Sequence, residues 1–257
     1  MEKQKKDPIL IIPEWPAPPQ VKAFSTERDY GVSKNEFHSS NFSFQVGDNV
    51  DAVERNRNAL TKVLGLTCQP YWLNQVHGTS VFNLDSYLYQ QHENSVPTAD
   101  GAVSTKLGKA CVVMTADCLP VLFCDRSGSR VGVAHAGWRG LASGILSKVI
   151  MHMEVEPETL IAWLGPGIGQ SAYEVGEEVR DVFLKSDSGA AACFQLNRFG
   201  RWQADLYGLA RRSLRIAGLD AIYGGNFCTY TDSDRFFSHR RSSPCGRMAT
   251  VIWLDSI

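Results

Sequence analysis

The chain has 257 residues, 44% of them hydrophobic, which is enough to bury a large core and lies near the upper end of what one domain holds. Its 26 lysines and arginines balance 27 aspartates and glutamates, so no broad basic field is on offer to nucleic acid or to an anionic membrane, and a small-molecule partner is expected instead. Apolar runs such as residues 110–114 and 120–124 are strand-length, far short of the roughly 20 residues that span a bilayer. The basic start is followed by Asp7, Pro8 and further prolines where a signal peptide would need an apolar stretch, so a cytoplasmic location is expected. Seven scattered cysteines, an odd number with no C-x-x-C pair, read as reduced thiols.

Residues 1–20 are charged and then proline-rich, which predicts an extended lead-in with an edge strand at 9–12, ahead of a single domain over 21–257. Residues 51–65 read as a helix with an acidic start and a glycine stop. A second helix is expected over 140–153, where Leu141, Ile145, Leu146, Val149, Ile150 and Met153 recur at helical spacing. Residues 177–185 and 205–217 supply two more, the last capped by Asp205 and closed by Gly218, with Arg211, Arg212 and Arg215 on its wet face. Strands are expected at 71–76, 79–84, 111–115, 121–124, 131–135, 160–164 and 248–254. Because strands outnumber helices and do not alternate regularly with them, the fold class is α+β: a single layered domain with a mixed β-sheet core flanked by helices.

Three segments place a metal-binding side chain at a strand end beside small or turn-forming residues: Asn74-Gln75-Val76-His77-Gly78, Thr115-Ala116-Asp117-Cys118-Leu119-Pro120 and Ala134-His135-Ala136-Gly137-Trp138-Arg139-Gly140. Two imidazoles and a thiolate suit zinc, and three protein ligands with one open position form the catalytic rather than the closed structural arrangement. The spacing by itself identifies no site, since each of these residues is equally at home in a core or a turn. Gly165-Pro166-Gly167-Ile168-Gly169 lacks the lysine and hydroxyl of a phosphate loop and reads as a packed turn. His239, Arg240 and Arg241 read as a solvated basic face, His38, His92 and His152 have no supporting neighbours, and Cys111, Cys124 and Cys228 look like core.

The segments N-Q-V-H-G, A-D-G-A-V-S, T-A-D-C-L-P-V, V-A-H-A-G-W-R-G, L-G-P-G-I-G and Y-E-V-G-E-E-V, with the tail C-T-Y-T…F-F-S-H-R-R…G-R-M-A, together resemble the laccase-domain family over about 41–254. Members of that family were long described as polyphenol oxidases and are now described as purine nucleoside phosphorylases. In the tail, Ser242-Ser243-Pro244-Cys245 stands where an acidic and then a threonine-containing turn is usual. The resemblance implies that His77, Cys118 and His135 bind the metal, zinc being the expected ion and copper the alternative.

It also implies phosphorolysis of adenosine, inosine or methylthioadenosine to base and sugar 1-phosphate, with purine nucleoside and phosphate as the small-molecule partners and adenosine deamination as a companion activity. Zinc in an open site lowers the pKa of water to about 7, which is what deamination at C6 of the purine requires. The H-x-E and P-C-x-x-C signature of nucleobase deaminases is absent, leaving Asp117 as the candidate for proton shuttling. Arg139, just ahead of a helix start, is the candidate for binding phosphate. Three other classes compete. Copper-dependent polyphenol oxidation is weakened by a total of six histidines, none paired as H-x-H. A Cys-His hydrolase or amidase would use Cys118 as nucleophile. A zinc-stabilised binding domain would need a fourth ligand, and none is obvious.

Overall fold

The computed structural model describes residues 10–86 and 96–256. In chain order its elements are β1 (Leu10–Ile11), β2 (Val21–Thr26), α1 (Val50–Val63), β3 (Val81–Asn83), β4 (Gly101–Ser104), β5 (Cys111–Thr115), β6 (Leu119–Asp125), β7 (Val131–Ala136), α2 (Trp138–Ala142), α3 (Ile145–His152), β8 (Leu160–Leu164), β9 (Glu174–Val175), α4 (Glu177–Ser186), β10 (Phe194–Leu196), β11 (Trp202–Ala204), α5 (Leu206–Ile216), β12 (Ile222–Gly224) and β13 (Met248–Leu254). Two larger sheets result, an antiparallel one in the order β1-β2-β13-β5 and a mixed one in the order β12-β8-β6-β7-β4-β3, with a small antiparallel sheet β10-β11-β9 beside them.

Side-chain alternation along buried strands stacks these sheets in layers. Along β5, Val112 and Met114 face outward to Leu60 of α1, while Cys111 and Val113 face the other sheet. Along β6, Leu122 and Cys124 meet that inner layer, and Val121 and Phe123 turn to the helical layer, where they pack with Ile145, Leu146 and Val149 of α3 and Leu209 and Leu214 of α5. The expected α+β class with mixed sheets flanked by helices is what the chain adopts. The helix starts follow their caps: the Asn49 side chain accepts the Ala52 N–H at 3.0 Å, and Asp205 accepts the Gly208 N–H at 2.9 Å.

Several expected elements differ. The helix expected over 140–153 is two helices, α2 and α3, because Gly144 takes a left-handed conformation (φ 89°) that breaks an otherwise continuous apolar stripe. Residues 71–76 form no strand, only isolated bridges at Tyr71 and Asn74, since the Gln75 amide rather than a backbone ladder joins this stretch to β5. Strands β2 and β4 were not foreseen: the one follows a proline-rich stretch, and the other is the short, small-residue run Gly-Ala-Val-Ser. The expected edge strand is Leu10–Ile11, its first position, Ile9, lying outside the described residues; Trp15 and Ala17 of the lead-in then pack on the inter-sheet core. Arg211 and Arg212 are half-buried, bonded to the Gly224 carbonyl and to Asp187, so the wet face of α5 is left to Arg215. Cys228 is half-buried rather than core, because it follows β12 in a loop, where its sulfur accepts the Gly169 N–H. No helix among the described residues is long and apolar enough to cross a membrane.

Candidate metal centre

Chain crossing between the two sheets builds the site. From the end of β5 the chain passes through Ala116, Asp117 and Cys118 into β6, and β6 pairs with β7 so that Pro120 lies opposite His135. Next to β7 runs β4, in a register that puts Asp100 beside His135, whose backbone N–H donates to the Asp100 carbonyl at 2.7 Å. The Asp100 carboxylate, fully buried, then accepts the backbone N–H groups of Val76, His77 and Gly78 at 3.2, 2.9 and 2.7 Å. This nest holds His77 at φ 61°, a left-handed conformation that a histidine does not take without support.

The result is convergence of one ligand atom each from His77, Cys118 and His135, all within 4.8 Å of one another. Cys118 Sγ lies 3.7 Å from His77 Nε2. Tetrahedral zinc sets bonded nitrogen and sulfur atoms roughly 3.3–3.6 Å apart, so the donor set and its spacing fit the ion. The Nδ1–H of His135 donates to Asp100 at 2.8 Å, which leaves Nε2 to face the site. Gly137 is required here for close approach: a Cβ on it would stand 2.9 Å from Cys118 Sγ and 3.0 Å from the His77 ring.

Burial, the largest influence on the Cys118 thiol, opposes its ionisation, but His135 and His77 outweigh it and hold the thiol well below the ordinary cysteine range. Burial likewise opposes protonation of His135, and Cys118 and Asp100 overcome it, raising the imidazole pKa. At Asp100 burial is again the largest influence and is outweighed by the His135 and Gly78 hydrogen bonds, so its carboxyl sits below the usual range. A cation held by His77, Cys118 and His135 would require a thiolate and neutral imidazoles, so its affinity would fall as the pH falls.

The triad opens on a cavity of about 350 Å³ lined also by Ser43, Gln45, Gln75, Met114, His239 and Arg247. Gln75 clamps the cavity wall through two hydrogen bonds to the Met114 backbone, at 2.8 and 2.7 Å. Behind the wall, Arg57 lies against the rings of Phe44 and Trp72 and donates to the Phe42 carbonyl; burial lowers its pKa to about 9. A second cavity of about 170 Å³ shares Ala116, Cys118 and His239 with the first.

The other expected residues fall as follows. Asp117 takes a left-handed conformation (φ 86°) at the crossing, and both its carboxylate oxygens are engaged, one by the Thr229 hydroxyl at 2.6 Å and the other by the Arg240 N–H at 2.7 Å. Arg139 is exposed, stacked on the Trp138 ring at 4.3 Å, in a helix of only five residues. His239, read from the sequence as part of a solvated face, lines both cavities. Its neighbours Arg240 and Arg241 are tied to backbone carbonyls of Glu174, Thr229, Tyr230 and Phe236, which fixes that loop over the site. The glycine-rich stretch after β8 is a packed turn: Gly165 and Ile168 donate to the carbonyls of Pro120 and Asp117. Asp100 was given no role from the sequence. Its only signal was membership of the A-D-G-A-V-S segment, and strand register is what puts it behind two ligands.

Residues 22–255 match the family model described as multi-copper polyphenol oxidoreductase laccase. The chain belongs to this family. Laccase-family relatives include a purine nucleoside phosphorylase of Pseudomonas aeruginosa, 48% identical over 246 residues that cover 95% of this chain and 98% of that one. The purine nucleoside phosphorylase YfiH of Escherichia coli (strain K12) is 46% identical over 245 residues, again 95% of this chain and 98% of that one. Among solved structures, a Neisseria meningitidis protein superposes with a TM-score of 0.90 at 46% identity, covering 98% of this chain and all of that one. The YfiH protein of Bacillus licheniformis does so with 0.85 at 28% identity, over 92% and 93% of the two chains. These relatives bear out the resemblance carried by the H-A-G-W-R-G and A-D-C-L-P segments, and the family and the two phosphorylase relatives bear the names of enzymes.

Proposed function

We propose that this chain is a zinc-dependent purine nucleoside phosphorylase that converts adenosine, inosine and methylthioadenosine to free base and sugar 1-phosphate, with adenosine deamination at the same site. One observation carries the reading: three convergent ligand atoms, joined by no fourth His, Cys, Asp or Glu ligand among the described residues, floor a cavity whose volume falls in the range of small-molecule sites. His77, Cys118 and His135 would hold the ion, which supplies Lewis acidity when bound. Asp100 keeps the His135 proton on Nδ1 and fixes the His77 turn, so the two imidazoles are preorganised. Phosphorolysis breaks the bond between the base and C1′, forms a bond from a phosphate oxygen to C1′, and returns a proton to the departing base. His239, which reaches both cavities, is the residue placed to exchange that proton. Asp117, its carboxylate engaged, holds the crossing that presents Cys118, and the exposed Arg139, which follows His135 by one turn into α2, adds positive charge that would favour the anionic co-substrate.

The test is to incubate zinc-loaded and metal-stripped protein with adenosine, with and without phosphate, and to identify the products. Adenine and ribose 1-phosphate formed only with phosphate, and inosine formed regardless of it, are the expected results. Adenosine left intact under every condition would overturn the reading. Two alternatives have an observation behind them. The family description favours copper, which binds such donor sets more tightly than zinc does; stoichiometric copper in protein made without copper supplementation would replace zinc. The 3.7 Å contact between Cys118 and His77 favours a cysteine nucleophile in a hydrolase or amidase. Stoichiometric zinc removes that option, because the thiolate is then a ligand.

A further inference from the structure

Cys118 and His239 stand between two cavities of unequal size. The larger, about 350 Å³, opens toward Gln45 and Arg247; the smaller, about 170 Å³, shares Ala116, Cys118 and His239 with it. Nucleoside-sized ligands need roughly 300 Å³ or more, so the smaller lobe is too confined for one and suits a compact tetrahedral anion. Its walls combine apolar Trp138, Ile168 and Leu206 with polar Tyr173 and Arg240.

The polar groups of this lobe are positioned yet have unused capacity. Arg240 donates its backbone N–H to Asp117 and one guanidinium N–H to the Glu174 carbonyl, both at 2.7 Å, which fixes it 5.4 Å from the Tyr173 ring centre. Its remaining guanidinium N–H groups meet no carboxylate among the described residues. The Tyr173 hydroxyl likewise meets no hydrogen-bond partner among them. Asp117, the acid in the same wall, has both oxygens turned to other donors, the Thr229 hydroxyl and the Arg240 backbone N–H. A lobe offering a positioned, exposed Arg240 guanidinium and a half-buried Tyr173 hydroxyl donor, the one carboxylate in its wall being held by hydrogen bonds, suits an oxyanion.

We propose that the smaller lobe is the phosphate subsite, with Arg240 supplying charge and Tyr173 a hydroxyl donor, so that phosphate and nucleoside meet at Cys118, which lines both cavities. This rests on the phosphorolytic reading above. The experiment measures inorganic phosphate binding to zinc-loaded protein by calorimetry, without nucleoside, in the wild type and in Arg240→Gln, Arg240→Lys and Tyr173→Phe, and then KM for each substrate. Arg240→Gln is expected to weaken phosphate binding and raise the phosphate KM about tenfold or more, as loss of a charge-assisted hydrogen bond does. Tyr173→Phe should weaken both about threefold to tenfold, and Arg240→Lys should recover part of the loss by restoring charge without the planar fork. Nucleoside KM, zinc content and melting temperature should stay at the wild-type values. Phosphate binding that is absent in the wild type or unchanged in both Arg240→Gln and Tyr173→Phe overturns the assignment, as do variants that raise the nucleoside KM instead, which would put the base in this lobe. A wild type that binds phosphate in this lobe yet phosphorolyses no nucleoside would sink the reaction reading alone.

Discussion

Replacing Asp100 with Asn exchanges one oxygen for an amide nitrogen at a position with no solvent exposure. One carboxylate oxygen accepts the His77 backbone N–H and the His135 ring N–H, and the other accepts the N–H groups of Val76 and Gly78. Asparagine has a single acceptor oxygen. Whichever way the amide turns, two of these donors face an NH2 group in the interior. A buried donor left without an acceptor costs about 1–3 kcal/mol, so two place the loss of stability at about 2–6 kcal/mol. Zinc affinity should fall about 10- to 100-fold as well, the usual effect of removing the carboxylate behind a metal-binding histidine. Competition against a chromophoric chelator measures the affinity, and thermal unfolding with and without zinc measures the stability; excess zinc should restore part of the lost melting temperature. An Asp100→Asn protein that bound zinc as tightly as the wild type would refute the view that this carboxylate organises both imidazoles.

Three other substitutions test neighbouring parts of the argument. Cys118→Ala should abolish metal binding and turnover while the melting temperature of the metal-free protein stays near wild type, whereas Cys111→Ala, in the inter-sheet core, should keep activity; elemental analysis with an adenosine assay checks both. Gly137→Ala would drive a methyl group against Cys118 and His77, and a chelator titration should show zinc affinity down at least about tenfold; unchanged affinity would mean that the ligands can retreat at no cost. Asp125→Asn tests acid stability. Burial raises the Asp125 carboxyl pKa, but hydrogen bonds from Ser127, Arg130 and Ser129 outweigh it and hold the group below the carboxylate range. A depressed folded pKa stabilises fully above the unfolded value of about 3.9 and is lost as pH falls through the folded value. The gap in melting temperature between wild type and Asp125→Asn should therefore be constant above about pH 5 and shrink below about pH 4; a gap that stays constant as the pH falls from about 5 to about 2.5 would contradict this.

Local signals in the sequence located α1, α4 and α5 to within a residue or two, because their ends and apolar stripes are written in neighbouring residues: an acidic start and Gly65 bracket α1, and Asp205 caps and Gly218 stops α5. Strands β5, β6, β7, β8 and β13 were legible for the same reason, as short apolar runs. The break in the 140–153 helix was not, since a single glycine decides it through one dihedral angle while the apolar periodicity runs on unchanged. Strands β2 and β4 were also missed, because their pairing with β13 and β7 comes from partners distant in the chain. For the site, the motifs around His77, Cys118 and His135 were visible through family resemblance, but nothing in their spacing said that they meet. Their convergence depends on the crossing from β5 to β6 and on the register of β6, β7 and β4, which is set by tertiary packing. The same register brings Asp100 behind the two histidines, and the fold of the last forty residues brings His239 over them. Sequence alone singled out His77, Cys118 and His135 as candidate ligands and placed them at the ends of predicted strands. Only the tertiary structure decided which of them share one cavity, because side chains from four separate segments come within hydrogen-bonding distance only after two sheets have packed face to face.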